Sequence, residues 1–237
     1  MSSQSANLIW TPQVRWSLRW IRAFFAGVAG APLVRNIRMR DRRTLDRWLV
    51  AVDASPWGLG GILLGQHRVI AAFEDRVQDD DLSRLDLRLG EAAGQSVLEA
   101  LAALVALRLF AQLAGWNKGA AARIALRSDS KAALGAAINQ ASPRSMMNAI
   151  GAELAYDMGV GDYQVIFFDH TEGVANVSPD WLSRRWAPTG PSGPKERPAA
   201  LEGVQVLSVP QRSDAWWRTW RGPPLDAPVS RGSSDNL

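Results

Sequence analysis

Residues 50–64 read VAVDASPWGLGGILL. Two aliphatic runs separated by Pro56, Trp57 and Gly58 predict two strands joined by a tight turn. Asp53 falls inside the first run, where its neighbours call for burial. An ionised carboxylate is rarely buried unless it is paired or bound to a metal, so Asp53 needs partners that its own strand does not supply. Working outward, strands are expected at Trp48–Ser55, Leu59–Leu64 and, after the turn Gly65-Gln66-His67, Arg68–Phe73. Connections this short imply an antiparallel meander.

Downstream, EDRVQDDDLSRLDLRLGEAAG (74–94) is acidic and irregular and reads as a surface loop. SVLEALAALVALRLFAQLAGW (96–116) is apolar on nearly every side, the mark of a buried helix. A fourth strand is expected at 122–129 and a fifth at 162–169, with helices at 130–140, 142–159 and 178–185; Ser142 and Pro143 form the start of the second of these. Near the N-terminus, Thr11 and Pro12 precede Val14, Leu18, Ile21 and Phe25 at helical spacing. The expectation is an α/β fold: a five-stranded mixed sheet of three antiparallel strands followed by parallel crossovers, flanked by helices. Three segments follow: a basic helical stretch over 1–47, a domain over 48–186, and a Pro/Gly-rich tail over 187–237 read as a disordered extension. Within that tail DAWWRTW (214–220) reads as an isolated apolar patch.

Composition narrows the chemistry. The absence of cysteine removes disulfides, zinc–thiolate sites and thiol catalysis, and leaves oxygen-ligated metals. No apolar run approaches the roughly 20 residues of a membrane span, and the N-terminus carries no secretory pattern; an intracellular protein without membrane contact is expected. The net charge of +4 is unevenly placed: residues 1–48 carry nine Arg against two Asp, whereas 49–186 carry twelve basic against sixteen acidic residues. The basic segment suits a polyanion. An acidic domain meeting that same polyanion would need cations between them.

Four acidic residues stand out, each with an ordinary explanation beside the chemical one. Asp53 at a strand end is a common turn former; Asp129-Ser130 makes a natural N-cap pair; Asp180 in a first helical turn is favoured by the macrodipole. Glu99 is harder to dismiss, because it interrupts an apolar helix where an uncompensated charge costs several kcal/mol. His170 lies ten residues before Asp180, and a loop histidine is often inert. Gly58, Gly60 and Gly61 are read as allowing tight turns and close backbone packing.

Taken together these motifs resemble type 1 ribonuclease H. Asp53 in DASPWGLGGILL, Glu99 in LEALAALVAL, Asp129 in RSDSKAAL and Asp180 in SPDWLSR are similar to that family's four acidic residues, in order. EGVANVSPDWLSRR (172–185) resembles the retroelement pattern of an Asn followed by Ala-Asp-Ala-Leu-Ser-Arg, with His170 and Asn176 in the family's register. The resemblance covers 48–186, looks most like the domain attached to retroelement reverse transcriptases, and makes residues 8–47 similar to the upstream connection. It implies a ribonuclease H-like fold and a metal-dependent endonuclease that cleaves the RNA strand of RNA–DNA hybrids. It further implies two Mg²⁺ or Mn²⁺ ions held by Asp53, Glu99, Asp129 and Asp180, with His170 as a further catalytic residue. Ser55, Ser130, Asn176 and Arg184 become candidates for contact with the nucleic acid, and the polymerase portion of a parent polyprotein a candidate partner. No Tyr-x-Asp-Asp polymerase motif occurs in the chain. An inactive nucleic-acid-binding module or degraded retroelement fragment with the same fold is the alternative, and another nuclease or transposase of the superfold a third. Oligomeric state is not legible.

Overall fold

The computed structural model describes residues 18–19, 21–22, 48–114, 123–139, 145–160, 163–189 and 196–219. Residues 18–19 and 21–22 are helical, within the helix expected behind Thr11 and Pro12; the rest of that helix and of the basic 1–47 segment, and the Ser142-Pro143 helix start, lie outside the described residues.

Three strands, β1 (Trp48–Ala54), β2 (Gly58–Gly65) and β3 (Arg68–Arg76), form the anticipated meander. The β2–β3 connection is closed by Gln66 and His67, both with positive φ (51° and 64°), as a two-residue hairpin turn of matching twist requires. His67 is therefore a turn residue. Helix α1 (Asp79–Leu85) follows, then α2 (Gln95–Ala114), β4 (Arg123–Ser128), α3 (Lys131–Asn139), α4 (Ser145–Val160), β5 (Gln164–His170), α5 (Val177–Ser183) and β6 (Gln205–Leu207). The sheet order is β5-β4-β1-β2-β3-β6. Strand β1 runs antiparallel to β2 and parallel to β4, which is parallel to β5. This is the mixed α/β layout that the ribonuclease H-like expectation describes.

The sheet has six strands, not five. Strand β6 adds to the free edge of β3 in parallel, pairing Ala71 with Gln205 and Phe73 with Leu207. The reading of 187–237 as a disordered extension gives way over 196–219, where Arg212 and Trp217 are fully buried. The reading of 74–94 as a surface loop gives way too: Gln78 and Asp81 form a capping box that starts α1, and Asp81 is itself buried. The two corrections share a cause, since Arg212 forms an ion pair with Asp81 (2.6 Å) and another with Asp75 (2.5 Å). Acids that look solvated in sequence are matched by a base more than a hundred residues away.

Alternation along β1 sends Val50, Val52 and Ala54 into a large core with α2, α3 and α4, and Ala51 into a smaller one with Ile62, Ala72, Leu182 and Leu201. Helices α2–α4 therefore cover one face of the sheet and α5 the other. By length and composition Ala92–Leu113 could cross a membrane (mean hydropathy 1.7), which corrects the expectation that no segment is long and apolar enough. Most of that window is buried within the protein, so its apolarity is that of a core helix.

Candidate active site

Asp53 is the penultimate residue of β1 and pairs across the sheet with Gly60 of β2. Its side chain points to the face opposite Val52 and is only 4% exposed. Asp129 immediately follows β4, the parallel neighbour of β1, so two carboxylates emerge at adjacent strand ends. Glu99, 3% exposed, enters from α2 on the other layer. Ligand oxygens of Asp53, Glu99 and Asp129 all lie within 4.8 Å of one another. Residues far apart in the chain thus converge at the carboxyl ends of parallel strands, where open α/β sheets commonly hold their ligands.

Neighbouring side chains orient the three acids. Gln95, one helical turn before Glu99, donates through Nε2 to Glu99 Oε1 (2.9 Å) and to the carbonyl of Ala54. Ser128 Oγ lies 3.5 Å from Glu99 Oε2. Ser183 Oγ, at the end of α5, donates to Asp53 Oδ2 (2.5 Å).

Electrostatics sets this cluster apart from every other group of buried acids among the described residues. Glu153 and Asp157 are paired with Arg108 (2.6 and 2.7 Å), and Asp75 and Asp81 with Arg212. Asp53, Glu99 and Asp129 have no ion pair with Arg or Lys among the described residues. Burial, with the like charges of Asp129 and Asp180, pushes the Asp53 carboxyl up to about 7 despite the opposing Ser183 hydrogen bond. Burial and the charges of Asp53 and Asp129 push Glu99 well above the usual carboxylate range. Asp129 is raised by burial and by Asp180, against the opposing effect of its own backbone hydrogen bond and the charges of His170 and Arg184. Clustered like charge in a low-dielectric site has this effect, and a divalent cation removes it. The donor set, all carboxylate oxygen, fits a hard ion of the Mg²⁺ or Mn²⁺ class.

Asp180 stands at the rim of this group. It is felt electrostatically by Asp53 and Asp129, but its Oδ1 accepts from Arg184 Nε (2.6 Å) one helical turn on. His170 closes β5, is exposed, and places Nε2 3.1 Å from the Asp129 carbonyl oxygen.

No protein-family model matches the chain, and no curated protein does. Among solved structures it is similar to an RNase H1 from the halophilic archaeon Halobacterium salinarum NRC-1, at 16% identity and a TM-score of 0.43, over 59% of this chain and 96% of that one. It is also similar to a foamy viral protease-reverse transcriptase dRH in complex with double-stranded DNA (15%, TM-score 0.31) and to a foamy viral protease-reverse transcriptase in complex with double-stranded DNA (13%, 0.27). Each viral alignment covers 72% of this chain, which spans 28% and 33% of those two proteins.

The four residues singled out for contact with nucleic acid fare differently. Ser55 is buried: its Oγ accepts from Gly58 N (3.0 Å) and donates to the Ser183 carbonyl (2.7 Å). Asn176 is buried and donates to the Val52 carbonyl (2.9 Å), tying α5 to β1. Both side chains bond within the protein's own scaffold. Ser130 Oγ accepts from Ala133 N (3.2 Å) as the cap of α3, the ordinary role weighed for it. Arg184 is partly exposed but engaged with Asp180.

Sequence reasoning missed Gln95 and Ser183. The i,i+4 spacing of Gln95 and Glu99 on one helix was a usable signal. For Ser183 there was none, because its contact with Asp53 spans 130 positions.

Proposed function

We propose that this chain is a divalent-metal-dependent endonuclease that cleaves the RNA strand of RNA–DNA hybrids. One observation carries the reading: among the described residues, three buried or half-buried carboxylates converge within 4.8 Å with no basic side chain paired to them, while the other buried acid clusters each have an arginine. A protein that neutralises its structural acids with arginine, and leaves one cluster to an outside cation, has the electrostatics of a metal centre. The four motifs shared in order with ribonuclease H give the substrate class.

Asp53, Glu99 and Asp129 would hold the ions, with Asp180 at the edge of the site. A divalent cation held there would supply Lewis-acid activation of water and neutralise phosphodiester charge. Gln95 and Ser128 keep Glu99 oriented. Arg184 holds Asp180 and lowers the anionic charge that a phosphate backbone meets on approach. His170, exposed beside the Asp129 backbone, can move a proton to or from bulk water without itself being a ligand. A retroelement origin, by the resemblance of residues 172–185, accounts for a ribonuclease H-like domain in a chain without the polymerase motif.

The test incubates the full chain with end-labelled RNA–DNA hybrid, duplex RNA or duplex DNA, with Mg²⁺ or EDTA, beside Asp53→Asn. Cleavage of the RNA strand in hybrid alone is expected, abolished by EDTA and reduced at least about a hundredfold in the variant. Hybrid binding without Mg²⁺-dependent product would replace this reading with that of a binding module.

A further inference from the structure

Ser183 is fully buried at the last position of α5, and its hydroxyl has two acceptors within reach: Asp53 Oδ2 at 2.5 Å and the Asp180 carbonyl at 3.0 Å. Among the described residues it is the one side chain hydrogen-bonded to Asp53. We propose that Ser183 is a positioning residue for the metal centre, its hydroxyl fixing one Asp53 oxygen so that the carboxylate presents a set orientation to the cations. This inference rests on the metal-centre reading above.

Three features say that the contact is built into the fold and is not a passing rotamer. The backbone of Ser183 is clamped where it stands, since its carbonyl accepts from Ser55 Oγ, itself held by Trp57 N and Gly58 N. Strand β2 makes room for it: a Cβ at Gly60 would lie 2.5 Å from Ser183 N, and one at Gly58 2.5 Å from Ser183 O. Asp53 sits directly opposite Gly60 in the β1–β2 register, so the glycine that admits α5 also lines up the acceptor. A ligating carboxylate free to rotate loses affinity for its ion, and hydrogen-bond partners of ligands typically carry about ten- to hundredfold in metal binding.

The test titrates Mn²⁺ into the full chain, counting free ion by electron paramagnetic resonance, for the unaltered protein, Ser183→Ala, Ser183→Cys and Ser55→Ala. Unfolding in EDTA is followed by circular dichroism. Mn²⁺ affinity should fall about tenfold or more in both Ser183 variants, the cysteine serving as the volume-keeping control should alanine fail to fold. The metal concentration for half-maximal hybrid cleavage should rise by the same factor with KM for hybrid unchanged. Ser55→Ala, which loosens α5 but leaves the Ser183 hydroxyl in place, should lower thermal stability with a smaller loss of Mn²⁺ affinity. Unaltered affinity in a folded Ser183 variant, or an equal loss in Ser55→Ala, overturns the positioning role alone. Failure of the unaltered chain to take up Mn²⁺ overturns the metal centre, and this role with it.

Discussion

Asp53 is held in conflict with its surroundings. Its carboxyl is pushed up to about 7 from an ordinary 3.8, first by burial and then by the charges of Asp129 and Asp180. A folded chain that keeps this proton where the unfolded chain has lost it binds more protons than the unfolded one between about pH 4 and 7, so its stability falls as pH rises through that window. Glu99, displaced in the same direction, adds to the slope. In EDTA the melting temperature should therefore decline from about pH 5 to about pH 7.5. Millimolar Mg²⁺ should restore it, with a shift that grows with pH. Asp53→Asn, which keeps the size and removes the charge, should flatten the decline and stabilise the metal-free protein near neutral pH and above by about 2–4 kcal/mol. Melting curves followed by circular dichroism across this pH range check all of this; a slope unchanged in the variant assigns the effect elsewhere. At this scale the sequence was informative where a residue type was out of place, as with an acid among aliphatics at Asp53 and Glu99. It was silent where a common residue served a distant neighbour, as with Ser55, Asn176 and Ser183. A buried serine carries no mark of its acceptor.

Elements meet at this site through what is missing from β2. Helix α5 lies so close to the strand that side chains at Gly58 and Gly60 would strike its backbone or that of its immediate surroundings: Gly60 faces Ser183 N and the Pro179 carbonyl, Gly58 the Ser183 and Asp75 carbonyls. Backbone atoms cannot step aside as a side-chain tip can, so Gly60→Ala must lift α5. The expected loss is about 1–3 kcal/mol, the usual cost of overpacking, together with weaker Mn²⁺ binding as Asp180 and Ser183 move away from Asp53. Gly135 gives the contrast: it lies within α3, and a methyl group there would meet nothing within 4 Å, so Gly135→Ala should stabilise by up to about 1 kcal/mol. Denaturant titration of the two variants separates them by sign. Periodicity made the long elements readable, because a buried helix and alternating strands bury their faces locally. It failed for α1 and β6, which are short and take their stability from tertiary partners. The capping box at Gln78 and Asp81 was invisible to a reading that saw only acidity.

On the scale of the molecule, the segment over 196–219 acts as a strap across three layers. It covers the β3 edge through β6, buries Arg212 against Asp75 and Asp81, sets Trp217 into the main core, and ends with Thr219 donating to Glu153 of α4 (2.5 Å). A Pro/Gly-rich composition describes the path of such a strap correctly and says nothing about its anchors. Arg212 is the anchor most open to test. It and Asp81 are both fully buried, and Arg212 makes bonds to Asp81, to Asp75 and to the Arg76 carbonyl. Removing one member leaves the other's charge in the interior without compensation, so Arg212→Met should cost about 3–5 kcal/mol, whereas replacing such a pair by apolar residues of similar size is often close to neutral. Arg212→Met combined with Asp81→Leu should therefore recover part of the loss, short of full recovery because the leucine no longer accepts from Gln78 N at the start of α1 and Asp75 keeps its charge with the Gln78 amide as its donor. Urea denaturation of both single variants and the double variant yields the coupling. If the strap held by apolar contact alone, through Trp217, the single Arg212 change would cost little and the two substitutions would simply add; a coupling of several kcal/mol places the ionic lock at the centre of the strap's attachment.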